Sequence, residues 1–180
     1  SKKLSVVLTE RLPESQLTVF ELIALGRQPY TNWIDTLSTT DLEKIETAIK
    51  QTEIGHLKNQ RFYKLSDGQL QRVLIARALA QDTDVIILDE PTAHLDMHQT
   101  INIFSLLQQL VKQTNKTIIV SSHEINLALQ LSDEIILLTE NNLQFGTTEA
   151  LIAKNAFDKL FPNNLLKFNK SLQQFVINKT

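Results

Sequence analysis

The chain has 180 residues, 42% of them hydrophobic, and its 18 basic and 20 acidic residues give a formal net charge of −2 at pH 7. This length suffices for one domain, or for one domain with a small subdomain. There is no basic excess to suggest nucleic-acid binding and no apolar run of about 18 residues to span a bilayer, and the absence of cysteine excludes disulfides, thiolate metal sites and cysteine nucleophiles.

The first half of the chain predicts a strand followed by helices. Residues 4–8 form a short apolar run that predicts a buried strand. This run is too short for a secretory signal peptide, so we expect the cytoplasm as the compartment. From residue 17 to about 62 the apolar spacing is helical, with Val19 and Leu22 on one face. A second helix is expected to begin at a cap among residues 38–40 and to bury Ile45.

The second half predicts an α/β architecture. Three compact apolar runs, separated by amphipathic helical patterns, lie at residues 85–88, 117–120 and 135–138. Such runs are typical of strands in a parallel sheet that helices cover on both faces. Asn141 and Asn142 predict a turn into a hairpin strand at residues 143–145, and residues 173–177 predict a short edge strand.

The positions of the four glycines exclude two nucleotide-binding motifs. The four glycines are followed by Arg, His, Gln and Thr, whereas the phosphate-binding motif G-x-x-x-x-G-K-S/T needs a glycine directly before lysine. No two glycines lie close enough for the dinucleotide-binding motif G-x-G-x-x-G. Since the chain also lacks an initiator methionine, we expect it to be a piece of a longer protein.

Polar residues directly follow the predicted strands at residues 85–88 and 117–120. Asp89 and Glu90 end the first of these strands, at the sheet edge where α/β proteins bind ligands. An aspartate there can hold Mg²⁺ through water, and an adjacent carboxylate can polarise an attacking water. Alternatively, the two carboxylates simply end a strand before a turn. His123, after the second strand, either donates to a phosphate oxygen or caps the following helix.

A helix is predicted to begin at Ser66. Its hydroxyl can cap the helix, and the exposed N–H groups and dipole of this end attract phosphate. The alternative is an ordinary helix start. Each of these motifs is weak by itself, but they occur in a specific order: Leu65-Ser66-Asp67-Gly68-Gln69, Gln71-Arg72, Ile75-Ala76-Arg77-Ala78-Leu79, Val85-Ile86-Ile87-Leu88-Asp89-Glu90-Pro91-Thr92, Leu95-Asp96 and Ser121-Ser122-His123.

This ordered set closely resembles the ATPase domain of ABC transporters. The resemblance implies a P-loop NTPase-like parallel sheet flanked by helices, an incomplete ABC ATPase core with an inserted helical subdomain. Residues 17–30 and 123–128 also resemble the segments "TVxELVxxGRxP" and "HDLNLA" of importers for iron chelates and cobalamin. The implied division of the chain is a Q-loop strand and loop at 1–16, a helical subdomain at 17–64, a signature, Walker B and switch part at 65–150, and an extension at 151–180.

The resemblance also implies a role for each matching residue. Asp89 is the expected Walker B ligand of Mg²⁺, Glu90 the general base and His123 the switch histidine. Asp96 matches the D-loop. In this family the signature caps the ATP that a partner subunit holds, so the residues expected to contact the partner's nucleotide are those of the signature: Ser66, Asp67, Gly68 and Gln69.

The chain departs from the family pattern in three ways. The Walker A loop is absent, so we expect these 180 residues alone to hydrolyse ATP negligibly, and to self-associate or to show reduced stability. The Q-loop glutamine should lie near Thr9 and Glu10, neither of which is an amide. Asp67 stands where the signature usually has glycine; it either stabilises the helix start or repels a nearby γ-phosphate.

The implied function is ATP hydrolysis coupled to import of an iron–siderophore, haem or cobalamin. The expected cofactors are ATP and Mg²⁺. A second ATPase subunit and the transmembrane permease subunits are the expected partners, at the cytoplasmic face of the membrane. The alternatives are a non-transport ABC-type ATPase and a nucleotide-independent interaction module. The basic residues of the tail either face the membrane or form a solvated face, which we prefer; they are Lys154, Lys159, Lys167 and Lys170.

Overall fold

The computed structural model describes residues 1–9, 15–31, 36–139, 142–161 and 166–178. These residues form two compact units, Ser1–His123 and Glu124–Thr180. Within the described ranges no helix combines the length and the hydropathy needed to cross a membrane. The domain boundaries that the sequence implies, at 16/17, 64/65 and 150/151, stay a prediction.

The first unit is built on three parallel strands, β1 (Leu4–Val7), β2 (Val85–Asp89) and β3 (Thr117–Ser121), in that spatial order. The predicted parallel sheet is thus confirmed for these strands. Val7 and Leu88 are paired and buried on one face. On the other face Val6 and Ile119 are 41% and 38% exposed. Among the described residues, the cover that the sequence predicts for both faces is therefore complete only on the face of Val7 and Leu88.

Two long helices cover that face. They are α3 (Asp67–Ala80), with Ser66 as its N-cap, and α4 (Met97–Thr114), with Asp96 as its N-cap. The C-cap of α4 is Asn115, in the left-handed conformation. The second half of α3 is buried on almost every side, with Val73, Ile75 and Ala76 at 1% exposure or less. Such a helix lies in the centre of a core and not at its surface.

The predicted helices of residues 17–62 are present as α1 (Val19–Ala24) and α2 (Thr39–Gln51), and both pack on α3. Each has a capping box, formed by Thr18 with Glu21 in α1 and by Ser38 with Asp41 in α2. The predicted cap among residues 38–40 is therefore confirmed as Ser38.

A 3-10 turn at Leu25–Arg27 packs the helical region very closely against α3. A Cβ atom at Gly26 would lie 2.3 Å from the carbonyl oxygen of Arg77, so only glycine fits there. Next to it, Arg27 donates from Nε to Asp41 Oδ1 (2.7 Å) and from Nη1 to the carbonyl of Ala80 (2.8 Å). The side chains of Arg27 and Asp41 are each only 5% exposed.

The second unit holds the rest of the chain. It contains α5 (Ile125–Leu131), the hairpin β4 (Ile135–Thr139) and β5 (Asn142–Gly146), α6 (Thr148–Ala153), a 3-10 turn (Ala156–Lys159), and the hairpin β6 (Leu166–Asn169) and β7 (Gln174–Ile177). Its core is partly aromatic, and the rings of Phe157 and Phe168 stack with centroids 4.5 Å apart.

This unit corrects one prediction and confirms another. We expected residues 135–138 to join the parallel sheet, but β4 pairs antiparallel with β5, with Thr139 opposite Asn142. Only two residues separate the two strands, and so short a separation favours pairing between neighbours in sequence. Asn141, part of the predicted turn, lies outside the described residues, and Asn142 is the first residue of β5. The predicted hairpin is confirmed, and the predicted edge strand is present as β7, paired with β6.

The basic residues of the tail lie in this unit. Lys154, Lys167 and Lys170 are exposed. The side chain of Lys159 lies outside what the structure describes. Exposed lysines are compatible with the solvated face that we prefer, which stays a prediction.

Candidate functional site

Two carboxylates and a hydroxyl meet at the carboxyl ends of β2 and β3. Asp89 is the last residue of β2 and pairs with Ser121, the last residue of β3. The Ser121 hydroxyl donates to Asp89 Oδ1 (2.7 Å) and accepts from the backbone N–H of Glu90 (2.9 Å). One serine therefore fixes both the carboxylate of Asp89 and the main chain of Glu90.

The backbone of Glu90 has an uncommon conformation. Its φ is 44°, in the left-handed region, which for a residue other than glycine costs on the order of 1 kcal/mol. The bond from Glu90 N–H to Ser121 holds the chain there. Such conformations cluster at functional sites, where surrounding contacts maintain them.

His123 lies beside the Glu90 side chain. Its Nε2 is 2.6 Å from Glu90 Oε1. Since an ionised carboxylate can only accept, Nε2 carries the shared proton. The His123 side chain is 84% exposed and that of Glu90 34%, so this pair faces solvent. The structure thus brings together Asp89, Glu90 and His123, three of the residues that the sequence singles out.

Thr9 reaches the same region from the end of β1. Its hydroxyl donates to the backbone carbonyl of Asp89 (2.7 Å). The hydroxyl proton is therefore committed to the main chain of β2. Glu10, the other predicted Q-loop residue, lies outside the described residues.

The start of α3 has the geometry of a capping box. Ser66 Oγ accepts from Gln69 N–H (3.4 Å), and Ser66 N–H donates to Gln69 Oε1 (3.1 Å). Asp67 lies in the first turn of the helix. A carboxylate at this position stabilises the helix by a few tenths to about 1 kcal/mol, through its interaction with the helix dipole. The predicted cap at Ser66 is confirmed.

Gly68 connects the start of α3 with the start of α4. A Cβ at Gly68 would lie 2.6 Å from Gln99 Oε1, so the Gln99 side chain packs directly on the glycine. The N–H of Gln99 donates to Asp96 Oδ1 (2.8 Å), which caps α4. The predicted signature and D-loop residues are therefore linked through Gln99, which the sequence does not single out.

A small cavity of about 80 Å³ lies between the start of α3 and the loops that follow β1 and β2. Its polar lining residues are Thr9, Asp67, Gln71, Glu90 and His94. Asp67 and Glu90 are far apart in sequence but line the same cavity. The structure thereby adds Gln99, which the sequence does not single out, and it places Gln71 and Ser121 beside the site, two residues that the ordered set of motifs contains without an assigned role.

The residues at the end of β2 fit a magnesium ion in their chemistry. Asp89, Glu90 and Ser121 offer the hard oxygen donors that Mg²⁺ prefers, and Mg²⁺ commonly takes one or two protein carboxylates and completes its shell with water and phosphate oxygens. Within the described ranges no group of three or more His, Cys, Asp or Glu side chains could hold a metal ion by itself. The oxygen donors at the end of β2 fit Mg²⁺ in kind.

Comparisons with known proteins give a consistent result. A family model described as "ABC transporter" matches residues 1–93. The "probable siderophore transport system ATP-binding protein" of Bacillus subtilis is 37% identical over 82% of this chain and 54% of its own length.

Two solved structures are also similar. One, described as an inward-facing metal-chelate type ABC transporter, aligns with a TM-score of 0.81 and 27% identity over 97% of this chain and 70% of that one. A dimeric bacterial ABC transporter cassette aligns with a TM-score of 0.64 and 30% identity over 81% of this chain and 62% of that one. The chain spans about half the length of the curated relatives it matches.

Proposed function

Since this chain belongs to the ABC transporter family, we propose that it is part of the ATP-hydrolysing subunit of an importer for an iron–siderophore, haem or cobalamin. The predicted family and α/β fold class are confirmed. The observation that carries the proposal is the cluster at the ends of β2 and β3, where Ser121 and His123 fix Asp89 and Glu90.

Glu90 is the proposed general base. Its carboxylate takes a proton from the attacking water, which general-base groups do most effectively when they are rigidly placed. Two contacts supply that placement: the N–H bond to Ser121 and the contact of Oε1 with His123. His123 therefore orients the base, and its exposed ring remains accessible to a phosphate oxygen.

Asp89 is the proposed ligand, through water, of the Mg²⁺ that accompanies the nucleotide. The bound Mg²⁺–ATP supplies the phosphoanhydride bond and the positive charge that neutralises its oxygens. Ser121 holds Asp89 Oδ1, so the carboxylate has a fixed orientation before ligands arrive. The hydroxyl of Thr9 adds a second restraint at the Asp89 carbonyl.

The start of α3 is proposed to act on the nucleotide of a second subunit. Its helix N-terminus, with Ser66, Gly68 and Gln69, can bind a phosphate through N–H groups and the helix dipole. Asp96 is proposed to join the two sites as the D-loop. The similarity to a dimeric cassette supports this arrangement.

The substrate, partners and location are proposed from the relatives. One relative is described as a siderophore transport ATP-binding protein, and one similar structure as a metal-chelate type transporter. We therefore expect permease subunits as partners and a peripheral position at the cytoplasmic face of the membrane.

A chimera tests the proposal. This chain replaces the matching region of the Bacillus subtilis relative, whose remaining residues stay in place, and the chimera is assayed for ATP hydrolysis and for siderophore-dependent growth. We expect both activities, and we expect Glu90→Gln to abolish hydrolysis, because the amide cannot accept the proton. The matched control is Glu134→Gln, an exposed glutamate in the turn before β4, which should keep both activities.

The outcomes separate the alternatives. Hydrolysis without growth would favour a non-transport ABC-type ATPase. A folded chimera that neither binds nor hydrolyses ATP would favour a nucleotide-independent interaction module. For the 180 residues alone, titration calorimetry with Mg²⁺–ATP should show no binding up to millimolar nucleotide. Micromolar binding would refute the expected dependence on a Walker A loop.

A further inference from the structure

One face of the β4–β5 hairpin exposes four large apolar side chains. Ile136 lies opposite Phe145, and Leu138 lies opposite Leu143. Because successive side chains alternate between the two faces of a strand, these four side chains point to the same side of the hairpin. They are between 48% and 71% exposed. We call this surface the hairpin face.

The opposite side of the hairpin packs in the core of the second unit. Leu137 is buried in the same cluster as Leu151 and Phe157, and Ile135 packs against that cluster. An apolar run that is continuous along a strand is typical of a strand covered on both sides. The sequence of β4 therefore fits a doubly covered strand, whereas the described residues cover only the side of Leu137.

The hairpin face lacks the features that protect exposed sheets from association. Both strands are edge strands, since no third strand of the described residues pairs with them. Natural edge strands are commonly protected by charged residues or proline, and β4 and β5 contain neither. The exposed fractions amount to roughly 500 Å², whereas monomeric soluble proteins rarely expose apolar patches larger than a few hundred Å². Such a surface fits an apolar partner.

We infer that the hairpin face is an interface between two copies of this chain, which pack face to face about a two-fold axis. A two-fold interface uses the same patch on both copies, so one apolar face is sufficient to build it. Two such faces bury roughly 1,000 Å² together, which is at the lower limit for a specific interface and indicates a weak dimer. Since the hairpin face carries no charged side chain, contact between identical faces brings no like charges together.

This dimer differs from the pair of ATPase subunits in the proposed function. That pair would form through the start of α3 and a shared nucleotide. The hairpin face lies in the second unit, and its contact requires no nucleotide. The inference therefore does not depend on the proposed function, and each can fail without the other.

Sedimentation equilibrium without nucleotide tests the inference. The mass should rise from 20.5 kDa towards twice that value between about 5 and about 500 µM protein, the range of weak interfaces. Leu138→Lys places a charge in the hairpin face and should raise the dissociation constant at least about tenfold. The control Leu172→Lys changes a 58% exposed leucine between β6 and β7 and should alter the constant less than about twofold. A chain that stays monomeric, or a Leu138→Lys variant that associates as the unchanged chain does, overturns the inference.

Opposite charges identify the partner as a second copy. Leu138→Lys and Leu138→Glu should each be largely monomeric. In an equimolar mixture at low salt they should associate at least about fivefold more tightly than either variant alone, because an isologous contact brings both charged positions into one interface. A mixture that associates no more tightly than the separate variants would contradict a contact between identical faces.

Measurements on the unaltered chain cover the case in which these variants fail to fold. The methyl resonances of Ile136 and Leu143 should shift with protein concentration, whereas those of Leu172 should stay in place. Concentration-dependent shifts that spare the hairpin face would overturn the inference. A monomeric chain that floats with phosphatidylcholine vesicles would assign the face to a lipid surface, and that result would overturn it as well.

Discussion

Replacing Asp41 with asparagine should destabilise the first unit strongly. Asp41 Oδ2 accepts from the hydroxyl (2.6 Å) and the N–H (2.9 Å) of Ser38, and Oδ1 accepts from Arg27 Nε (2.7 Å). Asp41→Asn keeps the shape but removes the charge. The Arg27 guanidinium, 5% exposed, then keeps only the Ala80 carbonyl and the ring of Tyr30, 4.0 Å from its Cζ.

The expected magnitude follows from the titration of Asp41. Hydrogen bonds from the Ser38 hydroxyl and N–H lower the pKa of its carboxyl most; burial opposes them, and Arg27 adds to the lowering, so that the pKa falls from 3.8 to about 2. That difference is worth about 2 kcal/mol of folding free energy at pH 7. Because Arg27 also loses its counter-ion, we expect Asp41→Asn to cost about 3 kcal/mol.

The pH dependence has a definite sign. The pKa of Asp41 is lower in the folded than in the unfolded chain, so its contribution is complete above about pH 5 and is lost as the pH falls from about 4 to 2. The difference in unfolding free energy between the unchanged chain and Asp41→Asn should therefore shrink from about 3 to about 1 kcal/mol over that range. Other carboxyls titrate in both proteins and cancel.

Urea unfolding at pH 7 and pH 2.5, at one protein concentration, measures this difference. The control is Asp82→Asn, because Asp82 pairs with Lys44 (2.7 Å) and Lys116 (3.2 Å) but is 37% exposed. Its φ of 56° suits asparagine, so we expect a cost below about 1 kcal/mol. The reasoning is refuted if Asp41→Asn costs no more than Asp82→Asn, or costs the same at both pH values.

Substitutions at three further positions should separate backbone contacts from side-chain contacts in the same unfolding assay. Gly26→Ala drives a Cβ against the Arg77 carbonyl and should cost about 3 kcal/mol, because a buried helix backbone cannot yield. Gly68→Ala meets only the end of the Gln99 side chain, so it should cost less than about 1 kcal/mol, and equal costs for the two glycines would contradict this account. Ser121→Ala removes both bonds that fix Asp89 and Glu90 and should cost about 1–2 kcal/mol and slow hydrolysis by the chimera, whereas Ser121→Thr should retain most of both.

The strands and helices of the first unit could be predicted because their signals are local. The apolar runs of β2 and β3 and the cap of α2 are each encoded by a few consecutive residues. Which strand pairs with a given strand is not encoded locally in this way. The run at residues 135–138 resembles β2 in composition. Its own sequence does not distinguish antiparallel pairing with β5, which the structure has, from parallel pairing with β3.

The same limit applies to the site. Asp89, Glu90 and His123 follow predicted strands, so their meeting could be anticipated from the parallel order. The two bonds of Ser121 depend on the register that sets it opposite Asp89, which no local pattern encodes. Gln71 belongs to the ordered set of motifs but has no role assigned from the sequence, and only packing against the loops after β1 and β2 places it at the cavity.

Gly26 and Arg27 contact the C-terminal end of α3 so closely that this end of the helix is fixed to the helical region. The 14 residues of α3 span about 21 Å. At its C-terminal end the carbonyls of Arg77 and Ala80 are contacted by Gly26 and Arg27, and at its other end Ser66 forms the cap. Close-packed interiors have low compressibility and transmit strain. We therefore expect a displacement of the 3-10 turn to move α3 with it, because Gly26 lies too close to the Arg77 carbonyl for the two backbones to slide past each other.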